Sequence, residues 1–116
     1  MSKVVLSRYF VRESKALYKR HRSLAADVVT LIGLLEDNPF QGTPLGKNCY
    51  KIRLKISSKN TGKSGGARVI THVHVEGDTV TLLSIYDKSE QADISDDEIA
   101  TRLKEILYAT RLKEIL

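Results

Sequence analysis

The sequence predicts an α+β domain: an N-terminal helical hairpin packed on a small antiparallel sheet, with a C-terminal helix. Three observations carry that reading. Apolar residues recur at helical spacing through residue 35, they switch to strict alternation near residue 50, and a serine followed by acids restarts a helix at residue 95.

In chain order, KVVL at 3–6 fits a short first strand. A helix is expected from Ser7 to about Arg22, with Phe10, Ser14, Leu17 and His21 along one side and basic residues on the others. Ser23 is a suitable N-cap for a second helix, whose stripe is Leu24, Val28, Leu31 and Leu35 with Ile32 beside it. EDNPFQGTPLG ends that helix, because Asn38 precedes Pro39 and glycines follow.

The period then changes. In CYKIRLKI, Tyr50, Ile52, Leu54 and Ile56 alternate with Lys51, Arg53 and Lys55, which predicts a strand with one buried and one cationic face. The loop SSKNTGKSGG leads into ARVITHVHV, where Arg68, Ile70, His72 and His74 share a side. Glu76-Gly77-Asp78 predicts a tight turn into TVTLLSIYDK. Ser95, followed by Asp96, Asp97 and Glu98, predicts a capped helix start.

Residues 100–107 and 109–116 are the same octapeptide, ATRLKEIL. Nine residues turn a helix by about 900°, a net half turn, so the second copy cannot continue the packing stripe of the first. Residues 1–107 are therefore expected to form the domain, and 108–116 an extension.

Composition narrows the function classes. At 116 residues, 41% hydrophobic and 28% charged, the chain suits one globular core. No apolar run approaches the roughly 20 residues of a membrane span. The N-terminus lacks the pattern of a signal peptide, and the single cysteine, Cys49, cannot form an internal disulfide. Both point to the cytoplasm. The net charge is +5, yet between Asp37 and Glu76 there are seven cations and no acid, so the rest of the chain is net acidic. Such a one-sided segment implies a polyanionic partner, nucleic acid foremost.

GKS at 62–64 does not complete a P-loop: position 57 is Ser57, not glycine, and a strand follows where a helix is required. His72 and His74 could supply two metal ligands, but no third is placed by spacing, and contact with phosphate is the expected role. No metal or other cofactor is expected. Cys49 reads as structural.

KNCYKIRLK, GKSGGARVITHV and LLSIYDKSE, in that order after a helical hairpin, resemble the RelE/ParE toxin superfamily, most closely its RelE/HigB-like branch, over roughly residues 8 to 107. The resemblance implies a metal-free endoribonuclease that cleaves messenger RNA, typically at the ribosome, by attack of the ribose 2′-OH on the adjacent phosphate. It also implies a cognate antitoxin, often of helix-turn-helix type. Arg68, in the GGARV motif, would then stabilise the charged phosphate, since a guanidinium meets two phosphate oxygens at once. Lys51 and Arg53 match the paired cations of YKIRL. Lys88 is the candidate acid or second clamp, and Tyr86 would stack on a base or relay a proton. Lys55, Lys59, Lys63, His72 and His74 would contact RNA. Where RelE has a tyrosine near its last helix, this chain reads ADIS, so the general base stays open among Tyr86, Lys51 and His72. Two other readings stand beside it: a ParE-like gyrase inhibitor, which shares the fold but not the reason for so dense a cationic face, and a nucleic-acid-binding module without catalysis.

Overall fold

The computed structural model describes residues 1–59, 65–76 and 78–116. Its elements run β1 (Lys3–Leu6), α1 (Arg8–Tyr18), α2 (Leu24–Asp37), β2 (Thr43–Gly46), β3 (Cys49–Leu54), β4 (Ala67–His74), β5 (Thr79–Asp87) and α3 (Asp96–Ile115), with a short 3-10 turn at Ser57–Lys59. The expected helical hairpin, sheet and closing helix are all present.

The Ser7 hydroxyl caps α1 by accepting from the Phe10 N–H at 3.1 Å. The helix stops at Tyr18, short of the expected Arg22. The N–H groups of Arg20 and His21 both donate to the Leu17 carbonyl, which closes the last turn and frees His21 to reach Asp87. Ser23 does not cap α2. Its hydroxyl instead donates to Asp27 and accepts from the Ser58 N–H, tying the helix to the 3-10 turn. The stripe Leu24, Val28, Leu31 and Leu35 is buried, as its spacing predicts.

The five strands lie in the order β1-β5-β4-β3-β2. All pairings are antiparallel except β1 with β5, which is parallel. β2 is an addition to the expected sheet. It joins β3 through Lys47 and Asn48, with φ of 54° and 61°, between the paired residues Gly46 and Cys49. Two consecutive left-handed residues make a turn whose twist suits a hairpin.

Helices cover both faces of this sheet. Val69 and Ile85 belong to one core with Phe10, Leu17, Leu31 and Leu35 of α1 and α2. Their chain neighbours Ile70 and Tyr86 belong to a second core with Ile94, Ile99 and Leu103. Successive strand residues point to opposite faces, so α3 packs opposite α1 and α2. Beyond Leu82, where β1 ends, side chains satisfy the outer edge of β5: Ile85 N–H donates to Glu13, and Arg102 donates to the Leu83 carbonyl and to both Glu13 oxygens. That covering removes a strand edge open to mispairing.

α3 is continuous through both octapeptides, yet Leu103 is 8% exposed and its counterpart Leu112 is 55% exposed. No helix among the described residues is long and apolar enough to cross a membrane.

Candidate active cleft

Alternation along β3 puts Cys49, Lys51 and Arg53 on the face that α3 covers in part. Register does the rest. Arg53 lies directly opposite Arg68 on β4, and Arg68 lies directly opposite Tyr86 on β5, so the three form one row across the sheet. Lys51 is one step along β3, and Lys88 follows β5. These five side chains, with Thr43 and Leu45 of β2 and Ala92, line an open cleft of about 240 Å³. The five residues singled out for catalysis from the sequence thus share one cleft.

The base of the preceding loop explains one glycine. A Cβ on Gly66 would sit 2.3 Å from the Leu54 carbonyl oxygen, so only glycine lets the chain enter β4 against β3. The Gly66 carbonyl accepts from the Lys88 N–H at 3.1 Å, which fixes the start of the β5–α3 loop.

Arg68 is buried, with Nη1 donating to the Ala67 carbonyl at 3.1 Å. Tyr86 is buried as well, and its hydroxyl donates to Asp93 Oδ1 at 3.0 Å. Burial first, then the Asp93 carboxylate, pushes the Tyr86 pKa up to about 12 despite the opposing Arg68 charge. Tyr86 is therefore a phenol at neutral pH, a proton donor and not a resting base. Lys51 Nζ donates to the same Oδ1 at 3.1 Å, as does the Ile94 N–H at 2.9 Å. The Ile94 N–H and then Lys51 hold the Asp93 carboxyl below its ordinary range.

Asp93 is the residue that sequence reading missed. It stands within ADIS, the stretch set against RelE's tyrosine, and no spacing rule links it to Lys51, 42 positions earlier.

The remaining RNA-contact candidates lie elsewhere. Lys59 does not face an open groove. Its ammonium donates to both Asp87 oxygens (2.9 and 3.1 Å), to the Gly65 carbonyl and to the Ser89 hydroxyl. Burial alone would raise the Asp87 carboxyl, but Lys59 and Ser89 outweigh it and hold the group well below the carboxylate range. The pairing makes Lys59 an anchor for the start of the loop. Lys63 lies outside the described residues. Lys55 is exposed just past β3, close enough to Asp27 to help lower its pKa. His72 and His74 sit toward the far end of β4 from Arg68, His72 about 13 Å along at ~3.3 Å per residue. Burial, with His74 adding to it, lowers the His72 pKa, and His72 does not line the cleft. Cys49 is buried opposite His72, and burial raises its thiol pKa, which suits a packing role. No group of three His, Cys, Asp or Glu side chains converges on a metal position among the described residues.

A model of the RelE toxin of the RelE/RelB toxin–antitoxin system matches residues 2–114. A comparison with curated proteins finds no significant match. Among solved structures, a mutant of the Escherichia coli RelE toxin in the free state is 18% identical, with a TM-score of 0.60 over 90% of this chain and 97% of its own. The intact E. coli RelBE toxin–antitoxin complex is 18% identical, with a TM-score of 0.58 over 75% and 96%. The RelBE2 toxin–antitoxin complex of Mycobacterium tuberculosis is 23% identical, with a TM-score of 0.57 over 74% and 90%.

Proposed function

The chain belongs to the RelE toxin family, the toxin side of a toxin–antitoxin system, and from that premise we propose that it is an endoribonuclease that cleaves messenger RNA and so stops translation. The observation that carries this reading is the placement of Arg53 directly opposite Arg68 at the centre of an open cleft. Like charges directly opposed across strands destabilise a sheet. A fold that keeps such a pair, with Lys51 and Lys88 beside it, supports a site built for an anion. A phosphodiester fits.

The chemistry follows from what a phosphate demands. The ribose 2′-oxygen attacks phosphorus, the bond to the 5′-oxygen breaks, and the products are a 2′,3′-cyclic phosphate and a 5′-hydroxyl end. Negative charge builds on the non-bridging oxygens, and fixed cations aimed at them lower the barrier. Arg68 takes that role because it is held in the sheet, with Arg53 and Lys88 completing the clamp. Tyr86, kept as a phenol, gives a proton to the leaving 5′-oxygen. Lys51, held as an ammonium by the Asp93 carboxylate, adds its charge to the clamp, and the 2′-proton leaves to solvent water. The protein acts in the cytoplasm on messages at the ribosome. A cognate antitoxin of helix-turn-helix type holds it in check; the RelBE structures of E. coli and M. tuberculosis contain toxin with antitoxin.

The test is to map RNA ends after brief induction of the parent and of Arg68→Ala. New 5′-hydroxyl ends inside translated messages, made by the parent alone, are the expected result. Growth arrest without such ends redirects the search to DNA gyrase. Normal growth without them leaves a binding surface only.

A further inference from the structure

We propose that Asp93 is a positioning residue of the cleft: its Oδ1 holds the Tyr86 hydroxyl and the Lys51 ammonium at one point, setting the pose of the proton donor and of the cation beside it. This rests on the ribonuclease reading and adds a member to its site.

The geometry is specific. One oxygen receives three donors, from Tyr86 at 3.0 Å, Lys51 at 3.1 Å and the Ile94 N–H at 2.9 Å. The backbone donor fixes the carboxylate relative to the entry of α3, while the two side chains come from β5 and β3. Asp93 thus spans the sheet face and locks two otherwise independent rotamers. The Asp93 side chain is 59% exposed. An exposed ion pair contributes little to stability, so stability is a poor account of a residue that gathers these two groups.

The charged groups that share the cleft with Tyr86 are Lys51 and Arg53 from β3, Arg68 from β4 and Lys88 beyond β5, while Glu13, Asp87 and Glu90 line a second opening beside it. Asp93 is the acid whose carboxylate accepts from the Tyr86 hydroxyl itself, so its removal leaves the Arg68 charge, which favours the phenolate, less opposed at that atom.

The experiment compares the parent with Asp93→Asn and Tyr86→Phe. Asparagine keeps an acceptor for Ile94 and Tyr86 and removes only the charge. Spectrophotometric titration, without RNA, assigns the Tyr86 step as the one lost in Tyr86→Phe. That step is expected near pH 12 in the parent and lower in Asp93→Asn. Cleavage of a ribosome-programmed message is then followed at several concentrations. We expect kcat to fall about tenfold, less than the roughly 10²–10⁴-fold of losing a proton-transfer group outright, while KM stays level or falls, because taking a carboxylate from a phosphate site does not weaken anion binding. The loss should be non-additive with Tyr86→Phe. An unmoved tyrosine step, or a raised KM with unchanged kcat, overturns the role of Asp93. A step shifted in Asp93→Asn, with a parent that cleaves nothing, upholds the clamp and overturns the nuclease reading.

Discussion

One face of the sheet has two ends with opposite characters. At one end Cys49, Ile70 and Leu83 lie in a closed core with Ile94, Ile99 and Leu103. At the other, Lys51, Arg53, Arg68, Tyr86 and Lys88 surround open space. The same three strands build both, and Ile70 is only two residues from Arg68. The difference teaches how a small domain holds cations together. The apolar end fixes strand spacing and register, and the cationic end inherits that rigidity, so its charges need no rearrangement when a phosphate arrives. The violation of a local rule, arginine opposite arginine, falls where function is expected to impose it.

That contrast can be broken or sharpened by substitution. Arg68→Ala should lose cleavage by about 10²–10³-fold, the scale of removing one transition-state donor, and should remain folded by circular dichroism. Collapse of the fold instead would show that the two ends are not separable. Leu83→Ala, at the closed end, should behave in reverse. The fully buried side chain should cost about 2–5 kcal/mol in denaturant melts, with cleavage by the remaining folded protein close to the parent's.

A third test concerns Asp87, whose folded pKa is depressed. A depressed carboxyl adds stability above its unfolded value, near 4, and that stability is lost as pH falls through this region. Melting temperatures at pH 6 and pH 3 should therefore diverge more for the parent than for Lys59→Met, which removes a cause of the depression. Equal divergence would return Lys59 to the RNA-contact group. The smallest contrast pits Leu103→Ala against Leu112→Ala, the same position in two identical octapeptides. The first should cost about 2 kcal/mol or more and the second less than about 0.5 kcal/mol.

Much of this was legible in the chain. Alternation in CYKIRL and ARVITHVH fixed which side chains share a face, and the Ser95 cap marked the start of α3, where its hydroxyl accepts from Glu98 N–H. The five cleft residues were named from local pattern and resemblance, because each lies in a strand, or directly after one, whose phase is local information. What stayed hidden is what long-range geometry decides. β2 is four exposed residues with a proline and a glycine, a poor strand by composition. The GKN before Cys49 was its one signal, since Asn48 tolerates a left-handed turn. The parallel pairing of β1 depends on where β5 ends up. Asp93 looks like an ordinary loop acid and Asp87 like an ordinary acid at a strand end, and their partners Lys51 and Lys59 are far away in sequence. Ser23 had the right residue type for a cap, but Asp27 and Ser58 compete for its hydroxyl.

The repeated ATRLKEIL gives the molecule an internal reference. Both copies lie in one helix and share one sequence, so they share intrinsic propensity; only the first touches the sheet. Amide hydrogen exchange measured residue by residue would compare like with like. Slow exchange at Arg102 and Leu103 against fast exchange at Arg111 and Leu112 would give the tertiary share of helix protection directly, with no separate peptide needed. The duplication is thus a built-in gauge of how much of a helix belongs to its sequence and how much to its neighbours.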